Sequence, residues 1–372
     1  MVKKLELNQL NLFRGLAALY VFVGHCAHIT QTDLLIPGPG HAVDFFMLMS
    51  GFLMALNFHH RKLKEPWEKS STIIRFYIRR FFRIAPVYFL FFFIAYFFYI
   101  ELNTLSNMTI DNPNPLPFEV TTQKFLLGIF LHLTFLFGLF PDFVQDNVLP
   151  DWSIGLEMQF YFVFPFLMLI FRKVGRISPI ILCTILYLSS NYLFGNFEQP
   201  GELLHFGQPA FLPMKINVFI LGVLLGEAKF YIDTNNQSKA LSLLGLTLIL
   251  CFIGNNLIII GFTLYFIIWI FSMLKVSPLF LSKFFTILEN KLKMNFIKFL
   301  ADTSYSVYLS HLVVLYCVNA VFINYEVYYK INTSLWFICL FFVCLPIIYF
   351  VSHLVFNYVE KPFIKIGKKF II

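Results

Sequence analysis

Residues 81–100 read FFRIAPVYFLFFFIAYFFYI, and Arg83 is the only charged residue among them. A transmembrane helix needs about 20 mainly apolar residues to cross the bilayer, so this stretch predicts one. Similar stretches occur near 11–29, 42–58, 154–171, 178–195, 211–228, 240–256, 257–274, 303–323 and 335–357. The sequence therefore predicts an all-α fold, a polytopic membrane bundle of about ten transmembrane helices.

The composition excludes a soluble globular protein. Of the 372 residues, 59% are hydrophobic and 13% are charged, whereas a soluble protein carries about 25% charged residues. The apolar stretches run nearly end to end, which predicts a single membrane domain over residues 1–372 with no appended soluble domain. The net charge of +8 is interpreted through its placement along a membrane chain, and no nucleic-acid partner is expected.

The placement of basic residues predicts the topology. A further apolar stretch at 124–140 lies between Pro117 and Pro141, and it is an eleventh span, a re-entrant hairpin or an interfacial helix. If it does not cross and the N-terminus is cytoplasmic, the Lys and Arg residues that fall outside are only Lys124, Lys215 and Lys330. Cytoplasmic segments are rich in Lys and Arg. We therefore expect a bacterial inner-membrane protein with ten crossings, both termini cytoplasmic, and 101–153 as an outer lid or acceptor-binding surface.

The first predicted helix carries two polar residues, Arg14 and His25. A charged side chain at membrane depth is unfavourable by about 2.5–3.5 kcal/mol, so such residues are functional candidates. A spacing of eleven residues places the two within about 20° of the same helix face and some 16 Å apart. The alternatives are an arginine that reaches the interface and a structural histidine, or His28 as the active imidazole.

A second polar group lies before the third helix, where Arg75, Arg79, Arg80 and Arg83 cluster. Arg80 and Arg83 share a helix face because they are three residues apart. The planar guanidinium suits phosphate, so this pair is a candidate site for a diphosphate-bearing ligand from the cytosol. The alternative is a basic anchor that only sets the topology.

Carboxylates and further imidazoles complete the candidate set. Glu157 follows Trp152 and Ser153 near a predicted helix start, where it either interacts with the helix N-terminus or contacts a substrate hydroxyl or an imidazole. Asp44 is a second buried carboxylate, and His311 places another imidazole in the ninth predicted helix. The six cysteines show no metal-ligand spacing, so we expect apolar fillers and no metal.

Taken in order, these stretches resemble the acyltransferase-3 family of integral membrane acyltransferases, which O-acylate bacterial envelope carbohydrates. The matching elements are Leu12-Phe13-Arg14-Gly15-Leu16-Ala17-Ala18 with His25, Val43-Asp44-Phe45-Phe46 with Ser50-Gly51-Phe52, Arg80-Phe81-Phe82-Arg83, Trp152-Ser153 with Glu157 and Phe160-Tyr161, Ser304-Tyr305-Ser306 with His311, and Glu360-Lys361-Pro362. They span almost the whole chain. Many relatives carry an added soluble extracytoplasmic domain, and none is expected here.

The resemblance implies transfer of an acyl group, expected to be acetyl, from cytoplasmic acetyl-CoA to a hydroxyl of an envelope carbohydrate such as O-antigen. It implies a catalytic set of His25 as general base with Asp44 and Glu157. The donor phosphates would be held by Arg14, Arg80 and Arg83, and the substrate would be contacted by Trp152, Ser153 and Tyr161. The expected partners are acyl-CoA, a free or lipid-linked carbohydrate, membrane lipids and, where one exists, a separate periplasmic transferase.

Two rival interpretations stay open at this point. Ten helices with buried charges also describe transporters and channels, which often show two-fold internal repeats, and no such repeat is evident in the sequence. A second rival is another membrane acyltransferase family, in which His311 would be the catalytic histidine. Direct and covalent transfer also stay open, although no nucleophile triad spacing supports an acyl-enzyme.

Overall fold

The computed structural model describes residues 7–35, 37–62, 64–109, 112–195, 201–325 and 332–371. These residues form α-helices joined by turns and by longer irregular segments, which confirms the predicted all-α class. The helices are α1 Asn8–Ile29, α2 Gly40–Arg61, α3 Ser70–Phe97, α4 Tyr99–Ser106, α5 Thr122–Leu133, α6 Trp152–Val174, α7 Ile177–Phe194, α8 Ile216–Asp233, α9 Gln237–Cys251, α10 Leu257–Phe271, α11 Leu279–Lys291, α12 Asn295–Asn324, α13 Thr333–Val355 and α14 Lys361–Lys369. Each of the ten expected spans coincides with one of them.

Within the described ranges, seven helices have the length and composition to cross a membrane: α1, α2, α3, α6, α7, α12, and α13 continued through α14. α13 runs into α14 through a π-helical turn, Phe356–Glu360. α8 has 18 residues but carries charged residues near its end. α9 and α10 have 15 residues each. The chain is therefore a multi-pass membrane protein, while ten crossings stays a prediction.

The stretch at 124–140 does not form one spanning helix. α5 covers Thr122–Leu133, only 12 residues, which is about 18 Å long against a hydrocarbon core of about 30 Å. Two short 3₁₀ turns follow, Phe137–Leu139 and Pro141–Phe143. α5 exposes Leu126 and Phe130. An interfacial or re-entrant segment is therefore favoured over an eleventh span.

The closest helix packing joins α2 to α8 through glycines. A Cβ atom on Gly51 would collide with the backbone oxygen of Phe219, and one on Gly222 would collide with the backbone oxygen of Leu48. Small residues allow membrane helices to approach closely. This contact holds α2, which contributes to the candidate site, in a fixed position against α8.

Gly222→Val is expected to destabilise the bundle, because the added side chain has no room against α2. Overpacking typically costs about 1–3 kcal/mol, and a backbone collision places this variant at the upper end. Thermal unfolding of the detergent-solubilised protein measures the effect. Gly245→Val in α9 is the matched control, since a Cβ there meets nothing within 4 Å. Equal loss in both variants would contradict this packing.

The predicted topology places the C-terminus in the cytoplasm. A green fluorescent protein fused after residue 372 is expected to fluoresce, because this reporter folds in the cytoplasm. Alkaline phosphatase fused at the same place is expected to be inactive, because that enzyme becomes active only on the periplasmic side. α14 carries Lys361, Lys365, Lys368 and Lys369, as a cytoplasmic segment should. Phosphatase activity at this end would mean an odd number of crossings.

Candidate functional site

A cavity of about 170 Å³ lies among α1, α2, α3, α6, α8 and α12. Its polar lining residues are Arg14, Ser50, Arg80, Arg83, Ser153, Glu157, Tyr161, Ser304, Tyr305 and Tyr308. Six of the nine residues predicted from the sequence therefore meet at one place. The lining contains three guanidinium groups and one carboxylate, so its net positive charge favours the binding of an anion.

Arg80 is the arginine most available to a ligand. Within the described residues no carboxylate forms an ion pair with it. Its guanidinium instead lies over the rings of Tyr161 and Phe76, at 5.0 and 5.6 Å from their centroids. Stacking on aromatic rings orients the planar group without using its N–H donors on a carboxylate. The donors of Arg80 can therefore serve a bound anion.

The other two arginines have protein partners. Arg83 Nη1 lies 2.7 Å from Glu360 Oε1, and the Glu360 side chain is buried. Arg14 Nη2 donates to Ser304 Oγ at 3.3 Å. The predicted pair on α3 is thus divided, because Arg83 connects α3 to the π-helical turn after α13, while Arg80 has no carboxylate partner among the described residues.

Glu157 faces the cavity from the second turn of α6. Ser50 on α2 donates to Glu157 Oε1 at 2.9 Å, and the hydroxyl of Tyr161, one turn further along α6, donates to the same oxygen. These contacts hold the carboxylate toward α2 rather than toward the helix N-terminus. Of the two interpretations of Glu157, the geometry favours a role in the cavity.

Asp44 and Trp152 do not line this cavity. Lys215 Nζ lies 2.7 Å from Asp44 Oδ1, and this carboxylate is buried. Trp152 is buried at the start of α6. The ion pair gives Asp44 a structural partner that the sequence did not indicate. Because Asp44 does not line the cavity, the structure does not support a catalytic role for this carboxylate.

His25 also lies beyond the cavity lining, beside a second histidine. The ring centres of His25 on α1 and His311 on α12 are 5.2 Å apart. His25 is half-buried and His311 is fully buried, whereas His28 is exposed. The two imidazoles that the sequence presented as alternatives are therefore neighbours.

Tyr308 lies between the cavity and the two histidines. Its hydroxyl donates to the Pro150 carbonyl at 2.6 Å and lies 2.8 Å from Ser153 Oγ. Its ring centre is 6.0 Å from that of His311. Tyr308 was not among the site residues predicted from the sequence, although its position one helical turn before His311 is a usable signal.

A second buried polar cluster lies in the segment that precedes α6. His132 on α5 sits between two carboxylates: Nε2 is 2.8 Å from Asp146 Oδ1 and Nδ1 is 3.2 Å from Asp151 Oδ2. Tyr88 on α3 donates to Asp151 Oδ2 at 3.2 Å. Among the described residues no group of His, Cys, Asp and Glu could hold a metal ion. The cluster instead fixes 122–151 against α3.

His132 is expected to stabilise the segment 122–151 in a pH-dependent way. Burial lowers its pKa, but Asp151 and Asp146 outweigh burial and raise the pKa to about 9, against about 6.5 in the unfolded chain. The stabilisation is therefore full below pH 6.5 and is lost as the pH rises through 9. Melting curves in detergent should show this loss.

His132→Leu is the matching variant. It leaves two buried carboxylates without their cation, a change that typically costs about 3–5 kcal/mol. The variant should melt earlier at pH 7 and show a smaller further loss at pH 9. His353→Leu, at an exposed histidine, should melt like the wild type. A wild-type melting temperature that rises from pH 7 to pH 9 would contradict this assignment.

Comparison with known proteins identifies the family. A family model described as an acyltransferase domain, acyltransferase-3, matches residues 7–353. An uncharacterized protein of Haemophilus influenzae is 27% identical over 175 residues, which is 44% of this chain and 64% of that relative. The chain thus spans less than two thirds of that relative's length. No solved structure matches. Because the family model covers nearly all of the sequence, the chain belongs to the acyltransferase-3 family.

Proposed function

We propose that this protein is a membrane O-acyltransferase that moves an acetyl group from cytoplasmic acetyl-CoA to a hydroxyl of an envelope carbohydrate such as O-antigen. The observation that carries the proposal is the convergence of Arg14, Arg80 and Arg83 on one cavity in a chain of this family. The family match also favours acyl transfer over a transporter. The membrane is proposed to be the bacterial inner membrane.

The acetyl-CoA donor would be bound through the charge of its phosphate groups and through the fit of its acyl end to the cavity. CoA carries several phosphate groups, and guanidinium donors bind phosphate through paired hydrogen bonds. A cavity of about 170 Å³ is comparable to one of about 150 Å³ that holds a benzene-sized ligand. A space of this size therefore suits the acyl thioester end, and the nucleotide would remain at the arginine-rich cytoplasmic mouth.

The reaction needs one group that takes and returns a proton. His25 would accept the proton of the carbohydrate hydroxyl while that oxygen attacks the thioester carbonyl carbon. The new C–O bond forms, the C–S bond breaks, and the CoA thiolate leaves. The proton on His25 then passes to the thiolate, which restores the neutral imidazole and releases CoA. No covalent acyl-enzyme is needed.

The acceptor would approach from the opposite side. The segment 122–151 is predicted to lie outside, and Pro150 within it accepts the hydrogen bond of Tyr308. Tyr308 therefore connects the outer segment to the helix turn that carries His311. A free or lipid-linked carbohydrate would meet the acyl group next to Tyr308, unless a separate periplasmic transferase carries the group onward.

The test is acyl-CoA turnover by the purified protein in lipid nanodiscs. We expect release of CoA thiol from acetyl-CoA that depends on added envelope carbohydrate, and a lower rate with longer acyl chains because the cavity is small. The inactive comparison is His25→Gln in the same nanodiscs. Absence of thiol release with every acceptor, together with no acetyl-CoA binding, would refute the proposal.

A further inference from the structure

The contact between His25 and His311 has an orientation that distinguishes the two rings. His311 Nδ1 lies 2.7 Å from the Tyr308 carbonyl oxygen and 3.2 Å from that of Val307. A carbonyl oxygen only accepts hydrogen bonds, so Nδ1 carries the proton and donates it. In the neutral ring, Nε2 then bears the lone pair and is a hydrogen-bond acceptor.

That acceptor is buried and lacks a protein partner. His311 is 0% exposed, and Nε2 has no hydrogen-bond partner among the described residues. Buried polar atoms are nearly always hydrogen-bonded, so a donor should reach this nitrogen. The half-buried ring of His25, 5.2 Å away between ring centres, carries such a donor.

We propose that His311 is a positioning residue for His25, whose ring N–H donates a hydrogen bond to His311 Nε2. The bond forms by rotation of the His25 ring, since none joins the two rings in this structure. The other nitrogen of His25 then bears the lone pair, as a general base requires. The inference rests on the proposed function, in which His25 takes the acceptor proton.

The orientation originates in the backbone of α12. The carbonyl of Tyr308 fixes the tautomer of His311, and the hydroxyl of the same residue binds Pro150. One helical turn thus links the outer segment to the imidazole pair. His311 acts on the reaction only through His25 and has no contact with the donor cavity.

Two amide variants separate the two nitrogens of His311. In His311→Gln the amide oxygen can occupy the position of Nε2 and accept from His25. In His311→Asn the shorter amide can still donate to the Tyr308 carbonyl but has no acceptor at that position. We expect His311→Asn to lower kcat by about 10–100-fold, the range seen when the hydrogen-bond partner of a metal-ligating histidine is removed, with KM for acetyl-CoA unchanged. His311→Gln should retain most of the activity.

Ser310→Ala is the matched control, because Ser310 is buried on α12 but faces Ser352 on α13. It should behave as the wild type. Equal loss of kcat in the Gln and Asn variants would make His311 itself the base and overturn the proposal. Wild-type rates in both would reduce His311 to packing and overturn it as well. Melting curves identify any variant that fails to fold, and His311→Leu then replaces His311→Asn.

A nitrogen NMR spectrum of histidine-labelled protein in nanodiscs gives a readout that does not require turnover. We expect the His25 ring to show two distinct nitrogen chemical shifts, one from a protonated and one from an unprotonated nitrogen. In His311→Asn we expect exchange between the two tautomers to average these shifts. The same spectrum in wild type and His311→Asn would overturn the proposal even if the protein has no acyltransferase activity. Loss of activity without a change in tautomer would do so too.

Discussion

His25→Gln should lower the rate of acyl transfer by about 10²–10⁴-fold, the usual contribution of a general base. Glutamine keeps a similar size and hydrogen-bonding capacity but takes no proton near neutral pH, so the variant tests chemistry rather than packing. Donor binding should stay unchanged, because His25 does not line the cavity that holds Arg14, Arg80 and Arg83. Rates of CoA release and acetyl-CoA affinity measured on the same preparation give both quantities.

His28→Gln is the comparison on the same helix, since His28 lies less than one turn from His25 but is exposed. We expect wild-type rates for it. If His25→Gln retained near-wild-type transfer, the base would lie elsewhere, and His311 would be the next residue to test. A loss of acetyl-CoA affinity in His25→Gln would instead place His25 in the donor site.

Arg80→Ala should weaken acetyl-CoA binding while leaving the fold intact. Arg80 lies on the cavity wall and has no carboxylate partner among the described residues, so its removal leaves no carboxylate without a cation. A hydrogen bond to a charged group contributes about 1.5–3 kcal/mol, which corresponds to roughly 10–150-fold in Kd. Arg80→Lys should recover only part of the loss, because lysine lacks the paired donors of guanidinium.

The controls for Arg80 lie on the same helix. Arg75→Ala removes a charge from α3 away from the cavity and should bind acetyl-CoA normally. Arg83→Ala should weaken binding and also lower the melting temperature, because it leaves the buried Glu360 without its cation, a change of about 3–5 kcal/mol. Unchanged affinity in Arg80→Ala would return Arg80 to a role in topology alone.

The helices and the charged residues of the cavity were predictable from the sequence. Apolar length alone placed all ten expected spans on helices of the structure, because a membrane span must satisfy its backbone internally as a helix. Arg14, Arg80, Arg83 and Glu157 stood out because charges in apolar helices require a reason. The spacing of these residues along the sequence did not predict that they converge on one cavity.

Contacts between distant parts of the chain could not be predicted. Helical periodicity describes which residues share a face of one helix, whereas the neighbour of that face depends on the packing of the bundle. Two such contacts between neighbouring parts of the bundle are the ion pair of Asp44 with Lys215 and the ring contact of His25 with His311. His132 was missed because its partners, Asp146 and Asp151, lie in an irregular segment with no periodic pattern.

The central claim is that this protein acetylates an envelope carbohydrate through His25. It is tested most directly by mass spectrometry of envelope glycans from cells that produce the wild-type protein, His25→Gln or no protein. Glycans from wild-type cells should carry acetyl groups that are absent from the other two, with all protein variants present in the inner membrane at equal amounts. Identical glycans in the three strains, or full acetylation by His25→Gln, would contradict the claim.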